Sequence, residues 1–203
     1  MIAVRAFNVT VSQVRDQVTQ TMIGEMRMKF WSDSLASIYQ DNPPTQPVAI
    51  QLHKAIRKHK LSKRWLQRIL SSREEILNDK SFPNLAALET YSENSVSSVL
   101  YLVLECMNFR DVNADHAASH IGRAQGLITL LRAIPYNASK QRVYVPLDLL
   151  VKHSVSQQNI IRGSSEKNVK DLVFEIASTA NAHLEKVKRK NGFKTSFSVY
   201  ILH

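Results

Sequence analysis

The chain has one cysteine, Cys106. It can therefore form no internal disulfide, and its use of thiols suits a reducing compartment. Cys106 lies in the apolar run VLYLVLECMNF (99–109) and reads as a small buried core residue. Glycine is also scarce, at five in 203 residues, and alternating β-branched runs are few. Together these disfavour strand-rich architectures and favour helices. No apolar stretch reaches the ~18–20 residues of a membrane span; SSVLYLVLECMNF (97–109) falls short. Neither a secretory signal nor an Arg-rich amphipathic presequence opens the chain. Acidic residues are outnumbered, 17 against 27 basic ones, for a net charge of +10.

What is present reads as a soluble globular chain, 44% hydrophobic and 22% charged, long enough for one domain with a sizeable core. The positive balance suits an anionic partner such as phospholipid headgroups or acidic protein. The basic residues are spread over RKHKLSKR (57–64), Lys140 with Arg142, and KVKRK (186–190). With no interleaved aromatics and no glycine-rich nucleic-acid signature, they read as solvated helix faces, and nucleic acid is not expected as a partner.

Helical spacing recurs along the chain. Ala3, Phe7, Val11, Val14 and Val18 trace one face of a first helix. A second, over 21–40, is expected to turn Ile23, Met26, Phe30, Leu35 and Ile38 inward. Asp41-Asn-Pro-Pro44 breaks the pattern. Pro47 near N1, with Thr45 as cap, opens a third helix. Ser62 is placed to cap a fourth, holding Trp65, Leu66, Ile69, Leu70, Ile76 and Leu77. Pro83 introduces a long helix over about 84–108. Its Glu89 and Glu93, one turn apart, read as exposed, with a carboxylate pair for metal as the sharper alternative. Asp115, His116 and His120 offer a second candidate metal group at helical spacing. The missing HExxH glutamate and the lack of a third ligand favour ordinary polar contacts near a helix start. The last helix, over 166–190, is expected to bury Val169, Leu172, Val173, Ile176, Ala180, Leu184 and Val187, and Asn191-Gly192 stops it.

The most informative stretch is Asp115–Pro146, DHAASHIGRAQGLITLLRAIPYNASKQRVYVP. Ala117, Ile121, Ala124, Leu127, Ile128 and Leu131 recur at helical spacing, and Gly122 and Ala124 admit a close neighbour. Pro135 ends the helix, and a basic polar loop leads into Arg142-Val-Tyr-Val-Pro146. The segment resembles the second conserved region of the squalene/phytoene synthase family: G-x-A-x-Q, an apolar run, N-I-x-R-D-x-x-x-D, then R-x-Y-x-P. Gly122, Ala124, Arg132, Arg142, Tyr144 and Pro146 match, but Ala133 and Asn137 stand where the two aspartates belong. Near the start, Ala6-Phe7 resemble the opening of the family's first metal motif, Y-A-F-x-R-x-x-D-D-x-x-D. There Val9 replaces the arginine and Ser12-Gln13 the first aspartates; only Asp16 remains. Tyr91 with Ser95, Ser97 and Ser98 resembles the family's Y-x-x-x-V-A-G-x-V-G helix, and YVPLDLLVKHSVS (144–156) its Y-L-P-x-D-L-L segment.

The resemblance, over about residues 3–190, implies an all-α, single-domain isoprenoid-synthase-type helical bundle. Residues 191–203 form an atypical tail. That tail and the abrupt start lead to the expectation of truncation at both ends. Ionising an allylic diphosphate needs Mg²⁺ held by carboxylates and phosphate oxygens, and Ser12, Asp16, Ala133 and Asn137 are a degenerate set for it. Phrases such as VRAFNV, MRMKFW, DNPPTQPVAI and the aspartate-free LLRAIPY resemble a mitochondrial branch of the family that serves assembly of respiratory complex I. That branch implies complex I subunits or other assembly factors as partners, anionic inner-membrane lipid, and the matrix side of the inner membrane. It implies no catalysis, no cofactor and no metal. Two alternatives stand beside it. A residual prenyl transferase would have to use Asp16 with Glu89 and Glu93. A small-molecule binder would keep Arg132, Lys140, Arg142 and Tyr144 as a phosphate clamp.

Overall fold

The structure is a computed structural model that describes residues 1–190; the tail expected over 191–203 lies outside them. Helix α1 (Ile2–Ser12) buries Val4, Phe7 and Val11, and passes into a 3₁₀ turn (Val14–Gln17) that buries Val14. Helix α2 (Thr21–Ile38) follows. Then come α3 (Pro47–His59) and α4 (Lys63–Glu75). Pro47 stands in the first turn of α3 as expected, but the cap is Gln46, whose side chain accepts from the Ala49 amide, and not Thr45. Ser62 precedes α4 as expected. Its hydroxyl and amide bond Glu105 of a later helix, so that carboxylate serves the helix start.

The long helix after Pro83 forms as α5 (Leu85–Ser92), one π-turn (Glu93–Ser97) and α6 (Ser98–Cys106). Asn84 caps it through the Ala87 amide. Helix α7 (Val112–Arg132) is capped by Asp111. The stretch expected as a loop after Pro135 instead coils into a short helix, α8 (Ile134–Ser139), because proline at its start needs no helical acceptor. Two further short helices, α9 (Leu147–Lys152) and α10 (Gln157–Ile161), lead to α11 (Lys167–Lys190), and a capping box from Ser156 and Asn159 starts α10. Every regular element among the described residues is helical.

Two large apolar clusters, beside a smaller one of Tyr101, Leu104, Ala114 and Ala118 between α6 and α7, make the core of the described residues. One gathers α1 to α4 with Leu102 of α6, around Phe7, Met28, Trp31, Leu52 and Leu66. The other gathers α5, α7 and α9 to α11 around Leu88, Leu127, Leu149 and Leu172. Cys106 is half-buried against the first cluster. Helix α2 turns differently from the sequence expectation. Leu35 and Ile38 are buried, but Ile23, Met26 and Phe30 are exposed, and Met28 and Trp31 face inward instead. Apolar residues lie on two sides of this helix, and packing against α4 selects one of them. Met22, Met26 and Phe30, spaced at four, are left outside at 64%, 66% and 46% exposure. Ile128 and Leu184 are likewise exposed, and the buried residue beside Leu184 is His183.

The central contact is α7 against the α5–α6 helix. A Cβ on Gly122 would lie 2.6 Å from the Ser97 Cα, and one on Gly126 would lie 2.4 Å from the Ser92 Cβ. The two glycines are four residues apart and the two serines five. The extra residue of the π-turn brings the serines into register with the glycines. Buried Ser92 bonds the Leu88 carbonyl, and Ser97 donates across to the Ser119 carbonyl of α7. We predict that Gly122→Ala lowers unfolding stability by about 1–3 kcal/mol, measured by urea denaturation, because backbone at that distance cannot yield as a flexible side chain does.

Helix α11 docks on α7 through a polar chain. His183 Nε2 lies 2.6 Å from Glu89 Oε1, and the Nδ1 atoms of His183 and His120 are 2.8 Å apart. With Glu89 accepting from Nε2–H, neutral His183 leaves Nδ1 to accept the proton that His120 Nδ1 donates. Burial first, then the positive surroundings that include Lys186 and Arg123, hold His120 below its ordinary value. A lowered imidazole favours the neutral form. Its stabilisation is therefore complete above the unfolded value of 6.5 and is lost as pH falls through the lower folded value. The thermal midpoint should fall on acidification below about pH 6.5, and His120→Asn, which keeps a donor but does not titrate, should flatten that profile.

Candidate functional site

The two degenerate motifs meet at one cavity of about 180 Å³. Ser12 and Asp16 reach it from the end of α1 and the 3₁₀ turn, Ala133 and Asn137 from the junction of α7 and α8, and Arg142 and Tyr144 from the segment after α8. Arg73 and Ile76 of the α4 end, Phe82, and Tyr91, Ser95 and Val96 of the long helix complete the wall. Gly126 lies at its floor, where close helix packing leaves no room for a side chain.

The carboxylates here are already held by guanidinium groups. Arg142 Nη1 donates to Asp16 Oδ1 at 2.7 Å, and its Nε lies 3.3 Å from Asp79 Oδ1. Arg15 grips Asp79 with both Nε, at 2.8 Å, and Nη2. The Tyr144 hydroxyl donates to the same carboxylate at 2.6 Å. Asp79 sits in the turn after α4 with φ of 53°, a left-handed conformation that aspartate tolerates. Burial by itself would raise the Asp79 carboxyl, but the bonds from Arg15 and Tyr144 and the nearby charge of Arg142 outweigh it and hold it below the ordinary range. Burial, then the bond to Asp79, pushes the Tyr144 phenol above its ordinary value.

This donor set does not fit a divalent cluster. Mg²⁺ needs free carboxylate oxygens, whereas Ala133 has no donor atom, Ser12 and Asn137 are neutral, and Asp16 is spent on Arg142. Among the described residues no three His, Cys, Asp or Glu side chains stand close enough to hold a metal ion. The alternative set does not assemble either. Glu93 accepts from Tyr101 at 2.7 Å, Ser119 at 2.8 Å and Arg123 at 3.1 Å, facing α7 and not the cavity. Burial would raise this carboxyl, but these bonds and one from Ser97 keep it low. Glu89 is taken by His183. The expectation that both glutamates stand exposed is therefore corrected: the tight α7 and α11 packing draws them inward. In the other candidate group, Asp115 and His116 stay exposed, and His120 turns to His183.

Of the four clamp residues, Arg142 and Tyr144 line the cavity, whereas Arg132 and Lys140 are exposed and do not. Three residues that matter here escaped the sequence reading: Arg15, Asp79 and Arg73. Asp79 lies 64 positions from Arg15 and 65 from Tyr144, in a polar turn with no periodic signal. Arg73 donates from Nη1 to the Tyr91 hydroxyl and lies over its ring, 5.5 Å from the centroid. We predict that Asp79→Asn lowers stability by about 1–3 kcal/mol, read from the urea midpoint at neutral pH, since it leaves the mostly shielded Arg15 guanidinium without its carboxylate and Arg142 with Asp16 alone. The wild-type contribution of the depressed Asp79 should persist above pH 3.8 and vanish as pH falls through its lower folded value.

Comparison with known proteins places this geometry. The chain is 52% identical over 183 residues to the bovine (Bos taurus) NADH dehydrogenase (ubiquinone) complex I, assembly factor 6, covering 90% of this chain and 55% of that protein. It is 51% identical to the human protein of the same name, over 91% of this chain and 56% of the relative. The chain thus spans about half the length of these relatives. Its fold superposes on the crystal structure of squalene synthase HpnC from Alicyclobacillus acidocaldarius with a TM-score of 0.81 at 17% identity, over 92% of this chain and 70% of that one. The squalene/phytoene synthase family profile matches residues 1–193. By that match and by its kinship to the animal assembly factors, the chain belongs to the squalene/phytoene synthase family.

Proposed function

We propose that the chain is a non-catalytic assembly factor for mitochondrial respiratory complex I, acting early in biogenesis on a prenyl-synthase scaffold that has lost its metal chemistry. The observation that carries this reading is the Arg142–Asp16 ion pair. The one acidic residue left from the first motif is bonded to a guanidinium from the second, so a fixed organic cation stands where a synthase would need exchangeable Mg²⁺. The names of the relatives support the assembly role. The domain responsible is residues 1–190.

Its partners are complex I subunits or other assembly factors, and its place is the matrix side of the inner membrane. The net charge of +10 suits the anionic lipid of that membrane. No helix of the described residues is long and apolar enough to cross a membrane, in keeping with peripheral attachment. The exposed Met22, Met26 and Phe30 stripe supports contact with another macromolecule.

Depleting the protein from cells should reduce early complex I subcomplexes and NADH:ubiquinone activity while isoprenoid synthesis continues. Loss of isoprenoid products with complex I intact would overturn the reading. In vitro, farnesyl diphosphate with Mg²⁺ should release no diphosphate. The pair Ala133→Asp with Asn137→Asp should not restore release, because Arg142 still occupies Asp16.

A further inference from the structure

The cavity holds one cation more than its anions balance. Arg15 and Arg142 are matched by Asp79 and Asp16. Arg73 is matched by no carboxylate among the described residues. Its Nη1 is bonded to the neutral Tyr91 hydroxyl, and its Nε is a buried donor with no acceptor. An unpaired guanidinium at a partly dry wall is costly unless an anion joins it.

The rest of the wall suits such an anion. Asn137 and Thr129 line the same space, and their side chains make no hydrogen bond among the described residues, so an amide N–H and a hydroxyl are free to donate. An aspartate at 137 would have repelled an anion, whereas the asparagine can donate to one. The Ser12 and Ser95 hydroxyls have given their hydrogens to the Val9 and Tyr91 carbonyls. Ile76, Phe82, Val96 and Leu130 supply an apolar side. At about 180 Å³ the space is below the ~300–1,000 Å³ of sites for drug-sized ligands. A fifteen-carbon prenyl chain does not fit within it.

We propose that this cavity is a metal-independent site for a small phosphate monoester with a short apolar body, its oxyanion held by Arg73 and supported by Asn137 and Thr129. The inference rests on the proposed loss of metal binding at the same cavity. Because guanidinium groups replace the ion, binding needs no divalent cation, and a monoester matches a single spare positive charge better than a diphosphate.

Titration calorimetry of the full chain tests this with dimethylallyl monophosphate in EDTA, inorganic phosphate in EDTA, and dimethylallyl diphosphate with Mg²⁺. The expected result is saturable binding of the monophosphate in EDTA, weaker binding of inorganic phosphate, and a loss of about tenfold to a hundredfold in Arg73→Gln. Arg73→Lys should retain part of the affinity. Val96→Phe, which fills the apolar side without touching a charge, should abolish monophosphate binding while leaving the circular dichroism spectrum unchanged. Absence of monophosphate binding to the wild-type chain, or equal affinity in folded Arg73→Gln, overturns the site but leaves the assembly reading standing. Binding of the diphosphate alone, and only with Mg²⁺, overturns both. Equal affinity for inorganic phosphate and the monophosphate overturns the apolar part of the assignment.

Discussion

Asp79 accepts from Arg15 and Tyr144 and lies within ion-pair distance of Arg142, and so joins three segments that are distant in sequence. They are the turn after α1, the turn after α4, and the extended stretch after α8. Beside it, the Arg142–Asp16 bond ties the first of these segments to the last. A carboxylate shared among two guanidinium groups and a phenol, with Asp16 as the second anion, makes bonds fixed in direction, which a hydrated ion does not. The arrangement explains how a fold built around a divalent cluster stays closed without one.

The scaffold and the chemistry of this family separate cleanly here. Helix α7 still presses its glycines against the serines of the long helix, and the π-turn still sets their register. Those contacts depend on shape, and the overall fold is shared with a bacterial squalene synthase structure at 17% identity. Metal binding depends on a few oxygen atoms, and with Ala133 and Asn137 the cavity wall offers no carboxylate at those two positions while the helices keep their places. Nor do carboxylates elsewhere take over. Glu93 and Glu89 serve helix docking, held by Tyr101, Ser119 and Arg123 on one side and His183 on the other.

Much of this was legible in the residues themselves. The helix starts at Pro47 and after Pro83, the break at Asp41–Pro44, and the inward faces of α1 and most of α11 follow from spacing and local chain-breaking residues, which act within one or two turns. The convergence of Ser12, Asp16, Ala133, Asn137, Arg142 and Tyr144 was legible only through resemblance, since positions more than a hundred residues apart carry no local signal. The errors about which helix face is buried share one cause. Met26 and Phe30 of α2, Ile128 of α7 and Leu184 of α11 are apolar residues on helices with more than one apolar side, and which side is buried depends on the neighbour.

The sequence by itself determined that the chain is helical, that its cysteine stands alone, and that positions 133 and 137 carry no carboxylate, because each is a matter of residue type and short-range spacing. Only the tertiary structure decided that Asp16 is held by Arg142, that Asp79 and Arg15 complete the cluster, and that Arg73 is left without a counter-charge among the described residues. Pairing of charges is a property of distance in space, and here the partners lie up to 126 positions apart along the chain.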